Sequence, residues 1–120
     1  MSKDSLTELT SLLKDFAVER DWEKFHSPKN LAMALSGEAG ELLEHFQWLT
    51  QQQSYQLEPE QLREVSFEMA DILIYLLRLS ERIDIDLLAA VEEKMAINEK
   101  RFPVEKVKGL AVRGEQLDQG

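Results

Sequence analysis

The sequence predicts an all-α protein, an antiparallel four-helix bundle that assembles into an oligomer, and three observations carry the prediction. Apolar residues recur at helical spacing through most of the first hundred positions. Turn-forming residues are scarce: three prolines and five glycines in 120 residues, with three of those glycines after residue 108, leave little punctuation for short strands. The periodic segments are long and their connections short or moderate, which favours antiparallel neighbours.

Taken in order, Leu6, Leu9, Leu13, Phe16 and Ala17 fall on one helical face. Asp4 or Ser5 can serve as N-cap with Glu8 in the first turn, so the first helix runs from about 5 to 20. Residues 21–27 form an aromatic connector carrying Trp22, Phe25 and His26. Ser27-Pro28 is an N-cap followed by proline at the first helical position, and Leu31, Ala34, Leu35, Leu42, Phe46 and Leu49 keep the period to about Gln51. Gly37 and Gly40 inside this helix each cost roughly 1 kcal/mol relative to alanine, which suggests close approach of another helix or plain tolerance.

Gln51 to Gln56 reads as a polar loop, and Glu58-Pro59-Glu60 opens a third helix that continues to about Arg82. Its apolar residues, among them Val65, Phe67, Met69, Ile72, Leu73 and Leu77, cover more than one stripe, and a lone bundle of this size has no way to bury them all. Oligomerisation, as a dimer or a tetramer, is therefore expected. Asp84 or Asp86 caps a fourth helix with Leu87, Leu88, Val91, Met95 and Ile97 on it, ending near Arg101 before Pro103. Residues 1–103 form the predicted domain. The stretch 104–120 has no aromatic residue and no sustained period, and is expected to be an extended or partly disordered tail.

Several function classes fall away on composition. Fourteen basic against twenty-three acidic side chains give a formal charge of −9, the wrong sign for nucleic-acid binding. There is no cysteine for disulfides or thiolate metal sites. The longest apolar stretch, Met69 to Leu79, contains Asp71 and falls well short of the ~20 residues that span a bilayer. The opening MSKDSLTELT lacks an apolar run behind a basic segment, so no secretory signal is expected and the cytoplasm is the expected compartment.

The chemistry-bearing pattern is acidic. Glu38 and Glu41 lie three residues apart on the second helix, as do Glu68 and Asp71 on the third, so each pair projects from one face. Antiparallel packing of those helices would bring four carboxylates together. Both pairs sit among apolar neighbours and neither has a lysine one turn away, so their mutual repulsion calls for protonation or a cation. Oxygen-only ligation points to a hard ion, Mg²⁺ first with Mn²⁺ as a substitute. Acids at this spacing on a solvated face are the plainer alternative. A di-iron bundle fits poorly, because it calls for Glu-x-x-His on two helices and the third helix has no histidine.

On the fourth helix Lys94, Asn98 and Arg101 share a stripe that could meet phosphate oxygens or simply form surface ion pairs. Tyr75, one turn after Asp71, could face the same groove or fill the core. Trp22 and Trp48 flank the second helix, and each could stack on a nucleobase or pack internally. His26 could contact base or phosphate, or cap a turn.

Glu38-Ala39-Gly40-Glu41, followed by Glu68-Met69-Ala70-Asp71, resembles the ExxE…ExxD signature of the MazG-like all-α nucleoside triphosphate pyrophosphatases. RDWEKFHSPKNLAMALSGEAGELLEHFQW, EMADILIYLLRL and KMAINEKRFP are similar to the dCTP pyrophosphatase branch, with coverage from about Leu6 to Pro103. The resemblance implies a Mg²⁺-dependent, tetrameric nucleotide-pool house-cleaning enzyme that converts a (deoxy)nucleoside triphosphate, dCTP or a C5-modified dCTP, to monophosphate and pyrophosphate. It implies that Glu38, Glu41, Glu68 and Asp71 hold the metal; for the chemistry at such a site, Glu38 or Glu41 is expected to orient or deprotonate the attacking water. It further implies that Lys94 and Asn98, with Tyr75, contact phosphates or sugar, and that Trp22 and Trp48 line the base pocket. Where members of the branch can present a histidine from the first helix, this chain has Leu13, which leaves base preference open. The competing expectations are a non-enzymatic helical interaction module and a hydrolase of another phosphorylated compound, such as dUTP or a nucleotide sugar.

Overall fold

A computed structural model describes residues 5–111, and among these every regular element is helical. Four long helices, α1 (Ser5–Glu19), α2 (Pro28–Glu44), α3 (Pro59–Arg82) and α4 (Leu87–Arg101), are followed by one short turn of helix, α5 (Val104–Val107). No helix among the described residues is long and apolar enough to cross a membrane. The chain divides into two compact units, Met1–Ile85 and Asp86–Gly120.

In the first unit α3 is the central element, with α2 and α1 packed on it. The α2–α3 pair is antiparallel: Gln61, in the first turn of α3, donates its amide to the carbonyl of His45 just past the end of α2. At the other end, Arg82 of α3 reaches the carbonyl of His26 just before α2 begins. The buried apolar side chains of the described residues are Ala17 of α1, Leu31 of α2, and Val65 and Leu77 of α3. Leu31 and Leu77 are fully enclosed, each removal from water contributing about 2 kcal/mol. Large apolar side chains on α3, including Leu62, Phe67 and Met69, remain exposed on the single chain.

Local chemistry sets the boundaries. Ser27 Oγ accepts from the Asn30 amide at 3.1 Å and Pro28 occupies the first helical position, so α2 starts where the sequence predicts. In the second unit, Asp86 and not Asp84 caps α4, its Oδ1 accepting from the Ala89 amide at 3.0 Å. Asp84 has φ +55° and Asp21 has φ +54°, the left-handed conformation usually given to glycine. The α1 end closes by Trp22 N–H to Ala17 O and Asp21 N–H to Val18 O, and the α3 end by the matching pair from Ile85 and Asp84. Both are Schellman closures built on aspartate, whose short polar side chain tolerates this backbone.

Three expectations are corrected and one open alternative is closed. The second helix ends at Glu44, not near Gln51; His45, Phe46 and Leu49 instead make tight i→i−3 bonds to Leu42, Leu43 and Phe46. The apolar spacing of Phe46 and Leu49 suits a three-residue turn as well as a helix, which is why periodicity overran the boundary. The Gln51–Gln56 loop contains a helical turn at Gln53–Tyr55, secured by a reciprocal Thr50–Gln53 capping box with bonds of 2.9 and 3.1 Å. Close helix approach does not explain Gly37 and Gly40, because a Cβ at either would meet nothing within 4 Å. Of the stretch expected to be extended, residues 104–107 form α5, and the remainder from 112 lies outside the described residues, as does Asp4.

Candidate active site

The antiparallel α2–α3 pair turns two sequence spacings into one cluster. Glu38 and Glu41 extend from α2 toward Glu68 of α3, with one carboxylate oxygen from each of the three within 4.8 Å of the others. Asp71 stands one turn beyond Glu68, close enough for its charge to act on Glu38, and lines the adjoining pocket. Within this unit Lys14, Arg20, Lys24, Arg78 and Arg82 all pair with other acids. Glu38 Oε2 and Glu68 Oε2 are occluded from solvent and have no hydrogen-bond partner.

Crowding of like charges appears in the proton affinities. Glu38 is pushed up to about 7, first by desolvation and then by the charges of Glu41 and Asp71, with carboxyl contacts to Glu41 and Glu68 adding to the shift. Glu68 is raised mainly by its hydrogen-bonding contact with Glu41, and next by desolvation. Orphaned carboxylate oxygens, a ligand set of hard oxygen donors and strained ionisation together fit a divalent cation. A cation there would supply the charge that the protein itself withholds.

Beside the acids lies a cleft of about 130 Å³ lined by Leu13, Phe16 and Ala17 of α1, Trp22 and His26 of the connector, and Asp71, Ile74, Tyr75 and Arg78 of α3. Trp22 packs edge-on against Phe16 at 5.8 Å and against His26 at 6.5 Å between ring centroids. The Schellman closure at Asp21 is what swings Trp22 off the end of α1 into this position. Apolar walls with a few polar groups are what a flat heterocycle requires. The cleft and the acid cluster meet at Asp71.

Of the residues singled out from sequence, Glu38, Glu41 and Glu68 cluster, and Asp71, Trp22, His26 and Tyr75 share the cleft. Trp48 lies in the turn after α2, 86% exposed and outside the lining of this cleft. Lys94, Asn98 and Arg101 belong to α4 of the second unit, where Lys94 is exposed and Asn98 and Arg101 are half-buried. Sequence reasoning missed Arg78, only 2% exposed and lining the cleft. Its signal was available: Glu68, Asp71, Tyr75, Arg78 and Arg82 recur at spacings of three, four, three and four, one polar stripe that continues through the apolar stretch from Met69 to Leu79.

An all-helical scaffold whose candidate metal ligands are carboxylates from two adjacent helices, set beside an aromatic cleft, defines the class of protein. Within that class the chain belongs to the MazG-like family, whose sequence profile matches residues 33–117. The rat protein dCTP pyrophosphatase 1 is 42% identical over 97% of this chain and 69% of its own length. The human protein of the same name is 40% identical over 97% of this chain and 69% of its own length. The crystal structure of a pyrophosphatase from Archaeoglobus fulgidus superposes with a TM-score of 0.80 at 39% identity, covering 86% of this chain and 96% of that one. The family implies a divalent metal and a nucleotide substrate.

Proposed function

We propose that this protein is a Mg²⁺-dependent nucleoside triphosphate pyrophosphohydrolase that converts dCTP, or a modified dCTP, to the monophosphate and pyrophosphate. The observation that carries the reading is the convergence of Glu38, Glu41 and Glu68 oxygens within 4.8 Å beside a cleft walled by Trp22, Phe16 and His26. The names of the relatives point to the same chemistry and to cytosine as the base.

In this reading Glu38, Glu41, Glu68 and Asp71 hold Mg²⁺, with Mn²⁺ as a substitute. The bound cation supplies Lewis-acid charge neutralisation for the triphosphate. Trp22 stacks on the base, His26 offers it a ring nitrogen, and Tyr75 directs its hydroxyl to the sugar or phosphates. Glu38 or Glu41 accepts a proton from the water whose oxygen forms the new bond to the α-phosphorus, while the bond from that phosphorus to the bridging oxygen breaks and pyrophosphate departs. On the family resemblance, Lys94 and Asn98 are proposed as phosphate contacts and Trp48 as a base contact, and Arg101 is proposed as a further phosphate contact because it shares their helix stripe. Exposed Leu62, Phe67 and Met69 on α3 support homo-oligomerisation, and residues 1–103 acting as one functional domain in the cytoplasm completes the proposal.

The test is a panel of canonical and C5-modified nucleoside triphosphates with Mg²⁺, the products resolved as pyrophosphate or orthophosphate. Pyrophosphate and dCMP in equal amounts are expected. Orthophosphate release, or no turnover of any triphosphate, would overturn the reading.

A further inference from the structure

The connector between α1 and α2 is tied to α3 by two arginines one helical turn apart. Arg78 donates Nε–H to His26 Nδ1 at 3.4 Å, and Arg82 donates Nε–H to the His26 carbonyl oxygen at 3.1 Å. Both guanidinium groups also approach Glu23 Oε1 at 3.6 Å, and Arg78 pairs with Glu81 at 3.0 Å. The side chain of Arg78 is almost wholly enclosed, which makes this a fixed fitting and not a surface contact. No part of the reaction outlined above uses Arg78.

Arginine is always a donor and never an acceptor. A ring nitrogen that faces its N–H must therefore carry a lone pair, and in neutral imidazole the proton then sits on the other nitrogen. From this geometry we infer that Arg78 is a specificity-positioning residue, which holds His26 as the Nε2–H tautomer so that the cleft offers a hydrogen-bond donor to the base. His26 lines the cleft, and Nε2 is the ring nitrogen that Arg78 does not engage. The base must meet it with an acceptor, and the one that separates cytosine from thymine is the unprotonated ring nitrogen of cytosine, since a ring carbonyl is common to both and the matching nitrogen of thymine bears a proton. Burial and the charges of Arg78 and Arg82 hold the imidazole below its ordinary pKa against the pull of Glu23, in keeping with the neutral form. Arg82 fixes the backbone of the same residue, so the ring's position and its proton are set from one helix.

The assignment of the base rests on the proposed function, whereas the tautomer does not, and the experiment separates the two. Nitrogen-15 spectra of the imidazoles in the intact wild-type protein, at neutral pH without nucleotide, report the protonation of each ring nitrogen. The chain has two histidines, so the signals lost in His26→Gln identify those of His26. A bare Nδ1 and a protonated Nε2 are expected. A protonated Nδ1 overturns the inference whether or not the protein hydrolyses nucleotides, while absence of hydrolysis with the expected tautomer overturns only the proposed function. In Arg78→Met the tautomers should mix, and the preference for dCTP over dTTP in kcat/KM should fall about tenfold, the equivalent of one hydrogen bond. Lower thermal stability in that variant with the preference intact would mark Arg78 as purely structural and overturn the inference. Should Arg78→Met not fold, the wild-type spectrum alone decides.

Discussion

The two halves of α3 treat charge in opposite ways. Toward its N-terminal half, Glu68 and Asp71 join Glu38 and Glu41 in a group of like charges with orphaned oxygens and raised proton affinities. Toward its C-terminal end, Arg78 and Arg82 are met by opposite charge on Glu23 and Glu81 and by two acceptors of His26; Glu23 Oε1 and Arg78 Nη2 also lack a hydrogen bond, but they lie 3.6 Å from each other and their charges cancel. Charges that only hold a fold together are given partners, because an uncompensated charge removed from water costs several kcal/mol. The difference teaches where to look for function: the half that the protein leaves electrostatically unfinished is the half awaiting a ligand.

Breaking the unfinished half should have the largest effect. Glu41→Gln removes a charge with little change in volume, so helicity by circular dichroism should persist while kcat/KM falls by more than about a hundredfold, the upper range for lesser perturbations of a metal site. Retention of substantial turnover would show that the cluster is not the reaction centre. Completing that half with Mg²⁺ should stabilise the wild-type protein by about 2.7 kcal/mol at a hundredfold excess over Kd, seen as a rise in Tm on the order of 10 °C. Glu41→Gln should lose most of that rise.

A smaller effect belongs to the cleft. Trp22→Ala should lower kcat/KM by roughly tenfold, the scale of one stacked base, with KM carrying most of the change. Steady-state kinetics with dCTP that show kcat alone affected would contradict a stacking role.

The pH response sharpens the comparison from the acid side. The Glu38 carboxyl has a folded pKa of about 7 against an ordinary 4.5, so the folded state retains a proton that the unfolded chain releases. Its effect on stability is therefore most favourable below about 4.5, declines as pH rises toward 7, and is flat above. Urea denaturation with a chelator present, from pH 5 to 8, should show that decline, and Glu38→Gln should flatten it. The smallest effect is expected at the finished half: Lys14→Ala removes a 3.3 Å pair between exposed Lys14 and half-buried Glu81, which keeps its closer partner Arg78, and should shift stability by no more than about 0.5 kcal/mol.

How much of this was legible in the sequence depends on whether the cause was local and periodic. The starts of α2 and α4 follow from Ser27, Pro28 and Asp86, and the i, i+3 spacing of Glu38 with Glu41 was enough to anticipate their shared face. The ends of α1 and α3 were legible to within a residue, although the Asp21 and Asp84 closures that make them were not, and the end of α2 was overrun because Phe46 and Leu49 keep helical spacing beyond Glu44. The Thr50–Gln53 capping box was hidden in a stretch that composition marks as loop. Arg78 went unnoticed as a break in an apolar run, since only the antiparallel return of the chain brings His26 and Glu23 to it across more than fifty residues.

Because α3 runs unbroken through 24 residues, it also acts as a ruler. Glu68 and Arg78 are ten residues apart, about 15 Å along a rigid axis at 1.5 Å per residue. The cleft occupies the interval between these marks and adjoins the acids at Asp71, so under the proposed function a ligand seated by its heterocycle beside Trp22 must still extend toward Glu68, and length as well as chemistry is measured here. Under the proposed function, a nucleoside lacking its phosphates would fit the upper mark yet leave the lower one untouched, and should bind without gaining from added Mg²⁺.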